Sequence, residues 1–165
     1  MRTKFAYASR SEKLGKSGDA GDQDGKEVKV APYYEFGATH ILRVLDNDKR
    51  HHIANHAQAI AKNELVGYSQ NDRYSLYDQL IKVRYINKLS KKCNTDCSQL
   101  VACCLLREGF KAFNKWSYTG SMIKDFENCM QQYKEPYKVI KFEKQEQLKK
   151  GDILLNPKSH AVVVL

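Results

Sequence analysis

Between Lys49 and Leu65 the apolar residues Ile53, Ala54, Ala57, Ile60 and Ala61 recur at i, i+3, i+4 and i+7, the stripe of an amphipathic helix. Asp46-Asn47-Asp48 supplies capping side chains at its start, and Gly67 closes it. Residues 76–89 carry a second apolar stripe. Leu100, Val101, Cys104 and Leu105 keep helical spacing within residues 97–108, which Gly109 ends, and residues 119–133 hold one more helix, begun by Thr119 or Ser121. From Tyr137 onward the pattern changes to strands, over 137–142, 152–155 and 160–165. Upstream, residues 27–30 alternate as a strand stopped by Pro32, the aromatic run 33–36 packs on the core, and 39–45 form a second strand. Residues 1–14 predict a short helix ending at Gly15; the Gly- and Asp-rich segment 15–25 and the polar stretches 68–73 and 90–96 predict loops.

Helices come mainly before strands, so the class is α+β rather than a wound parallel sheet. No repeat, low-complexity tract or linker divides the chain, and 165 residues fit one domain of roughly 100–200 residues. No stretch approaches the roughly 18 consecutive apolar residues of a membrane span. The N-terminus has early positive charge without an apolar segment behind it, so synthesis in the cytoplasm without a signal peptide is expected. Five cysteines, two of them adjacent, argue for reduced thiols rather than a disulfide scaffold. The net charge of +9 favours polyanionic partners (nucleic acid, anionic lipid or an anionic wall polymer) without choosing among them.

Two constellations could carry chemistry. Thr95-Asp96-Cys97-Ser98 places a cysteine at a predicted helix start, where unpaired backbone N–H groups favour a thiolate and could help hold an oxyanion. Taken alone, such a cysteine is more often buried and space-filling, as is expected of Cys103 and Cys104. Gly151-Asp152-Ile-Leu-Leu, a Pro-containing turn, and then His160 opening a strand place an imidazole that could take a thiol proton if the two meet in space. Taken alone, His160 could be a histidine at a strand edge. His52 and His56 share a helix face, but no H-E-x-x-H pattern or third ligand accompanies them, so a solvated face is expected. No C-x-x-C pair exists, and the acidic run from Asp19 to Gly25 fails both end ligands of a calcium loop. No metal and no cofactor is expected.

Asp96-Cys97-Ser98, Gly151-Asp152-Ile-Leu-Leu and His160, in this order, resemble the NlpC/P60 family of papain-like cysteine peptidases, over residues from about 50 to 165. A second resemblance is to phage lysins and prophage amidases of Gram-positive hosts. It rests on Gly21-Asp-Gln-Asp-Gly-Lys-Glu-Val28, on Pro32-Tyr33-Tyr34, and on Asn63, Gly67, Tyr68, Gln70 and Arg73 in an Asn-x-x-x-Gly-Tyr-x-Gln-x-x-Arg pattern. The resemblance implies a papain-like fold with helices on a small antiparallel sheet and the nucleophile at a helix N-terminus. It implies residues 1–48 as a family-specific extension packed on a 49–165 core, within a single catalytic domain spanning 1–165.

It also implies hydrolysis of an amide bond in the stem or bridge peptide of peptidoglycan through a thiol acyl-enzyme. Cys97 would be the nucleophile and His160 the base. Tyr68 would approach the thiol, the Cys97–Ser98 backbone would hold the oxyanion, and Asp96 would shape the turn or cap the helix. The family orients its histidine from the strand after the histidine strand, and this sequence ends five residues beyond His160. Gln70 and Asp22 are the candidate substitutes. The expected partners are peptidoglycan peptides, with anionic wall polymers second and no nucleic acid. The protein would reach the wall after release or export, without a C-terminal wall-binding domain. Two other readings stay open: an impaired wall- or polyanion-binding module, and a toxin-like amidase with another amide substrate.

Overall fold

A computed structural model describes residues 2–10, 14–21 and 27–165. Among these, eight strands form two sheets. The large sheet has the order β2-β1-β8-β7-β3-β6, built from β1 (Lys4–Ala8), β2 (Val28–Pro32), β3 (His40–Val44), β6 (Tyr137–Lys141), β7 (Ile153–Asn156) and β8 (His160–Val164). Every neighbouring pair in it is antiparallel. The small sheet pairs β4 (Val66–Tyr68) with β5 (Cys93–Thr95) in parallel. Four helices accompany them: α1 (Asn47–Ala61), α2 (Ser75–Leu80), α3 (Cys97–Arg107) and α4 (Met122–Tyr133). The fold is therefore mixed α+β around a mostly antiparallel sheet. Residues 1–48 contribute three of the six strands in the large sheet, interleaved with strands from the rest of the chain.

The segment read as an N-terminal helix is instead strand β1. Its large side chains Phe5 and Tyr7 point to one face of the sheet and its small Ala6 and Ala8 to the other, a period of two that a helix cannot use. Partners on both edges decide the matter, since β1 pairs with β2 on one side and β8 on the other. The same alternation runs through β8. Ala161 and Val163 join the core beneath the helices, while Val162 and Val164 join Phe5, Tyr7, Ile41 and Leu154 on the opposite face. That second face is roofed by Tyr33, Tyr34, Phe36, Phe142 and Leu148, so the central strands are buried on both faces.

Three other boundaries differ from the expectation. Helix α1 starts under the Asp46 cap, whose carboxylate accepts from the Asp48 and Lys49 N–H groups, but it stops at Ala61. Asn63 Oδ1 then accepts from Leu65 N at 2.9 Å, turning the chain into β4, so Gly67 lies in a strand and closes no helix. Helix α2 ends at Leu80 rather than near Leu89, because Arg107 donates to the carbonyls of Leu80 (2.7 Å) and Val83 (2.8 Å). The polar stretch 90–96 contains buried strand β5, whose edge is satisfied by β4.

Candidate active site

Helix α3 brings Cys97 to the end of the large sheet where β8 begins. Asp96 caps the helix: its Oδ1 accepts from Gln99 N at 2.8 Å and from Ser98 Oγ at 2.7 Å. Its other carboxylate oxygen lies 3.1 Å from Arg73 Nε, an ion pair whose angle falls short of an aligned hydrogen bond. Arg73 also donates to Ser98 Oγ (2.9 Å) and to the Ser117 carbonyl (2.5 Å), tying three segments to the start of α3. The Ser98 hydroxyl is thus committed to this network. Its backbone N–H and that of Ala161 are directed at the Cys97 thiol.

All five cysteines are free thiols; Cys93, Cys103, Cys104 and Cys129 are buried, whereas Cys97 is partly exposed. The expectation that the helix start favours a thiolate is reversed by its surroundings. Burial, and then the negative charge of Asp96, push the Cys97 thiol up to about 12, outweighing the two N–H groups and Arg73, which act in the other direction. His160 is pulled down to about 4 by burial. At neutral pH the resting site therefore holds a neutral thiol and a neutral imidazole. Among the described residues no hydrogen bond joins them.

What surrounds His160 was not anticipated. By strand alternation it stands on the aromatic face of the sheet, with its ring among Tyr7, Tyr34 and Phe36 at centroid separations of 6.5, 6.4 and 5.0 Å. Tyr34 Oη lies 3.0 Å from His160 Nε2. Burial raises the Tyr34 phenol well above its ordinary value, with the electrostatic influence of Tyr7 and then Cys97 adding to the effect. A cavity of about 410 Å³ opens before the ring, lined by Tyr7, Ser9, Tyr34, Phe36, Ser159 and His160. In the sequence, Tyr34 was visible as part of an aromatic run and of the Pro32-Tyr33-Tyr34 motif, neither of which pointed to His160.

The other described candidates lie on β4, just after it, and ahead of β7. Tyr68 is buried in β4, and its phenol is raised to about 12, by burial first and then by the electrostatic influence of Cys97. Gln70, a candidate to orient His160, hydrogen-bonds Tyr68 through its side chain instead. Asp22, the other candidate, lies outside the described residues, as do parts of the acidic run and of the Gly21–Val28 motif. Gly151 and Asp152 do structural work. Asp152 is fully buried and accepts from Arg43 Nε (2.8 Å), Arg43 Nη2 (2.7 Å) and Lys149 N (2.7 Å).

His52 and His56 do not form a merely solvated face. His52 Nδ1 lies 3.2 Å and His56 Nε2 2.7 Å from the two carboxylate oxygens of Glu108, near the end of α3. Among the described residues no group of three or more His, Cys, Asp or Glu side chains is arranged to hold a metal ion, and no helix is long and apolar enough to cross a membrane.

An antiparallel sheet backed by a helix with a cysteine at its N-terminus, and a histidine opening the adjoining strand, is an arrangement a thiol hydrolase can use. The chain belongs to the endolysin-like domain family, whose model matches residues 7–165. No curated protein and no solved structure matched the chain. Membership fits a lysin that acts on the bacterial cell wall.

Proposed function

We propose that this domain is a cysteine peptidase or amidase of the NlpC/P60-like, papain-like type that hydrolyses an amide bond in the stem or bridge peptide of peptidoglycan. The observation that carries the reading is the meeting of α3 with β8: the one partly exposed cysteine receives the N–H of Ala161, the residue next to His160. As Cys97 Sγ attacks the amide carbonyl carbon, its proton passes to the His160 imidazole, and the backbone N–H groups at the start of α3 stabilise the oxyanion. The imidazolium then protonates the departing amine. Water hydrolyses the acyl-enzyme, giving a proton to His160 that returns to the thiolate. Because the resting groups are neutral, proton transfer accompanies attack and no ion pair stands ready beforehand. Catalytic hydrogen bonds are often long in free enzymes and tighten around substrate.

The test is turbidity loss and amino-group release from purified cell walls. Cys97→Ala and His160→Ala are expected to abolish both while circular dichroism stays that of the parent. Clearance by Cys97→Ala at the parent rate rejects the mechanism. The unjoined thiol and imidazole favour a second reading, a wall-binding module without turnover. Sedimentation with walls by the parent chain, without release of new amino groups, would establish that reading. Mass spectrometry of released muropeptides identifies the bond and separates a lysin from an amidase with another substrate.

A further inference from the structure

The structure assigns Tyr34 as the positioning residue of His160: its hydroxyl accepts from Nε2–H, holding the ring in the tautomer that leaves Nδ1 free to take the thiol proton. The inference rests on the hydrolase reading above. Four observations carry it. First, the edge of β8 where an orienting residue would be sought on a following strand is occupied by β1, so among the described residues the large sheet has no other strand at that place. Second, the polar atom that reaches Nε2 comes from the segment just after β2, at 3.0 Å.

Third, that atom is held in place. Pro32 ends β2, Tyr33 N donates to the Thr3 carbonyl at 2.9 Å, and the Tyr34 ring is packed edge-on or tilted against Phe5 (5.6 Å), Tyr7 (5.5 Å) and Phe36 (5.7 Å). Fourth, the other ring neighbours of His160 are Tyr7 and Phe36, which leave the imidazole in aromatic surroundings. When His160 takes the proton of Cys97, both ring nitrogens become donors. Nε2–H then needs an acceptor, and Tyr34 Oη is the one already in place. A phenol keeps its own proton throughout, so the S–H proton moves only between sulfur, Nδ1 and the leaving amine.

Tyr34→Phe removes only the hydroxyl and retains the packed ring. The expected result is a fall in kcat of about tenfold, the fold-change one ordinary hydrogen bond supports, with KM nearly unchanged. Ring-nitrogen NMR of the parent at pH 7 is expected to show His160 protonated on Nε2, and Tyr34→Phe is expected to lose that bias. A purely structural tyrosine would leave the tautomer as it was. A proton on Nδ1 in the parent, or an unchanged kcat in Tyr34→Phe while Cys97→Ala and His160→Ala are inactive, overturns the assignment and leaves the hydrolase reading intact. If Cys97→Ala remains active the hydrolase reading fails instead, and the tautomer measurement, which needs no turnover, still decides what Tyr34 does to His160.

Discussion

Cys97 sits where opposing influences act on one proton. The backbone N–H groups of Ser98 and Ala161 and the cation of Arg73 stabilise a thiolate; burial and the Asp96 carboxylate oppose it and prevail. Asp96 cannot readily be dispensed with, since it is also the cap of α3 and the partner of Arg73. The consequence is a thiol that waits in neutral form. Native alkylation with iodoacetamide is therefore expected to label one cysteine per chain, Cys97, because the other four are buried. Its rate should climb with pH throughout the range in which the chain stays folded. A rate plateau near neutrality would reveal a preformed thiolate–imidazolium pair and contradict this account. The residue types were legible in the sequence, and so was the cap, because an Asp before a helical stripe has a local meaning. The thiol's charge state was not, because its burial is set by the packing of β8 against α3.

Among the elements, the junction between β7 and α1 explains why a Gly-Asp pair precedes the histidine strand. Gly151 adopts φ +82, and a Cβ built there would lie 1.8 Å from the Arg50 carbonyl oxygen. The backbone of α1 thus rests directly on the glycine, while Arg50 donates back to the Lys150 carbonyl at 3.0 Å. Gly151→Ala is expected to cost at least about 3 kcal/mol in urea unfolding, because backbone, unlike a side-chain tip, cannot give way. Gly15→Ala provides the comparison: φ is +62 but nothing lies within 4 Å, so about 1 kcal/mol of backbone strain is the expected loss. Equal losses at the two sites would refute the close approach. Helices α1, α3 and α4 and strands β3, β6, β7 and β8 were readable from periodicity. Strand β1 was missed because five residues of alternating large and small side chains acquire their meaning only from edges supplied by β2 and β8.

For the molecule as a whole, the buried imidazole links stability to pH. The unfolded chain takes up a proton at His160 below about 6.5, whereas the folded chain does so only near 4. Over that window the unfolded state binds more protons, so stability is lost as pH falls from about 6.5 towards about 4 and is fully present above it. The contribution is on the order of 3 kcal/mol. Urea midpoints measured at pH 7 and at pH 4.5 should fall more steeply for the parent than for His160→Asn, which lacks the titrating group. Parallel slopes would show that His160 is not buried as described.

By itself the sequence determined the α+β class, the helix that carries Cys97, the strand that carries His160 and membership in a lysin-like group, since each depends on local periodicity or on motifs contiguous in the chain. Only the tertiary structure decided what stands beside the imidazole. Tyr34 and His160 are 126 residues apart, and they meet because β1 lies between β2 and β8, with the aromatic segment after β2 roofing that face of the sheet. No periodicity in either segment encodes that meeting. It arises from strand order, which long-range pairing selects when both faces of the sheet are buried.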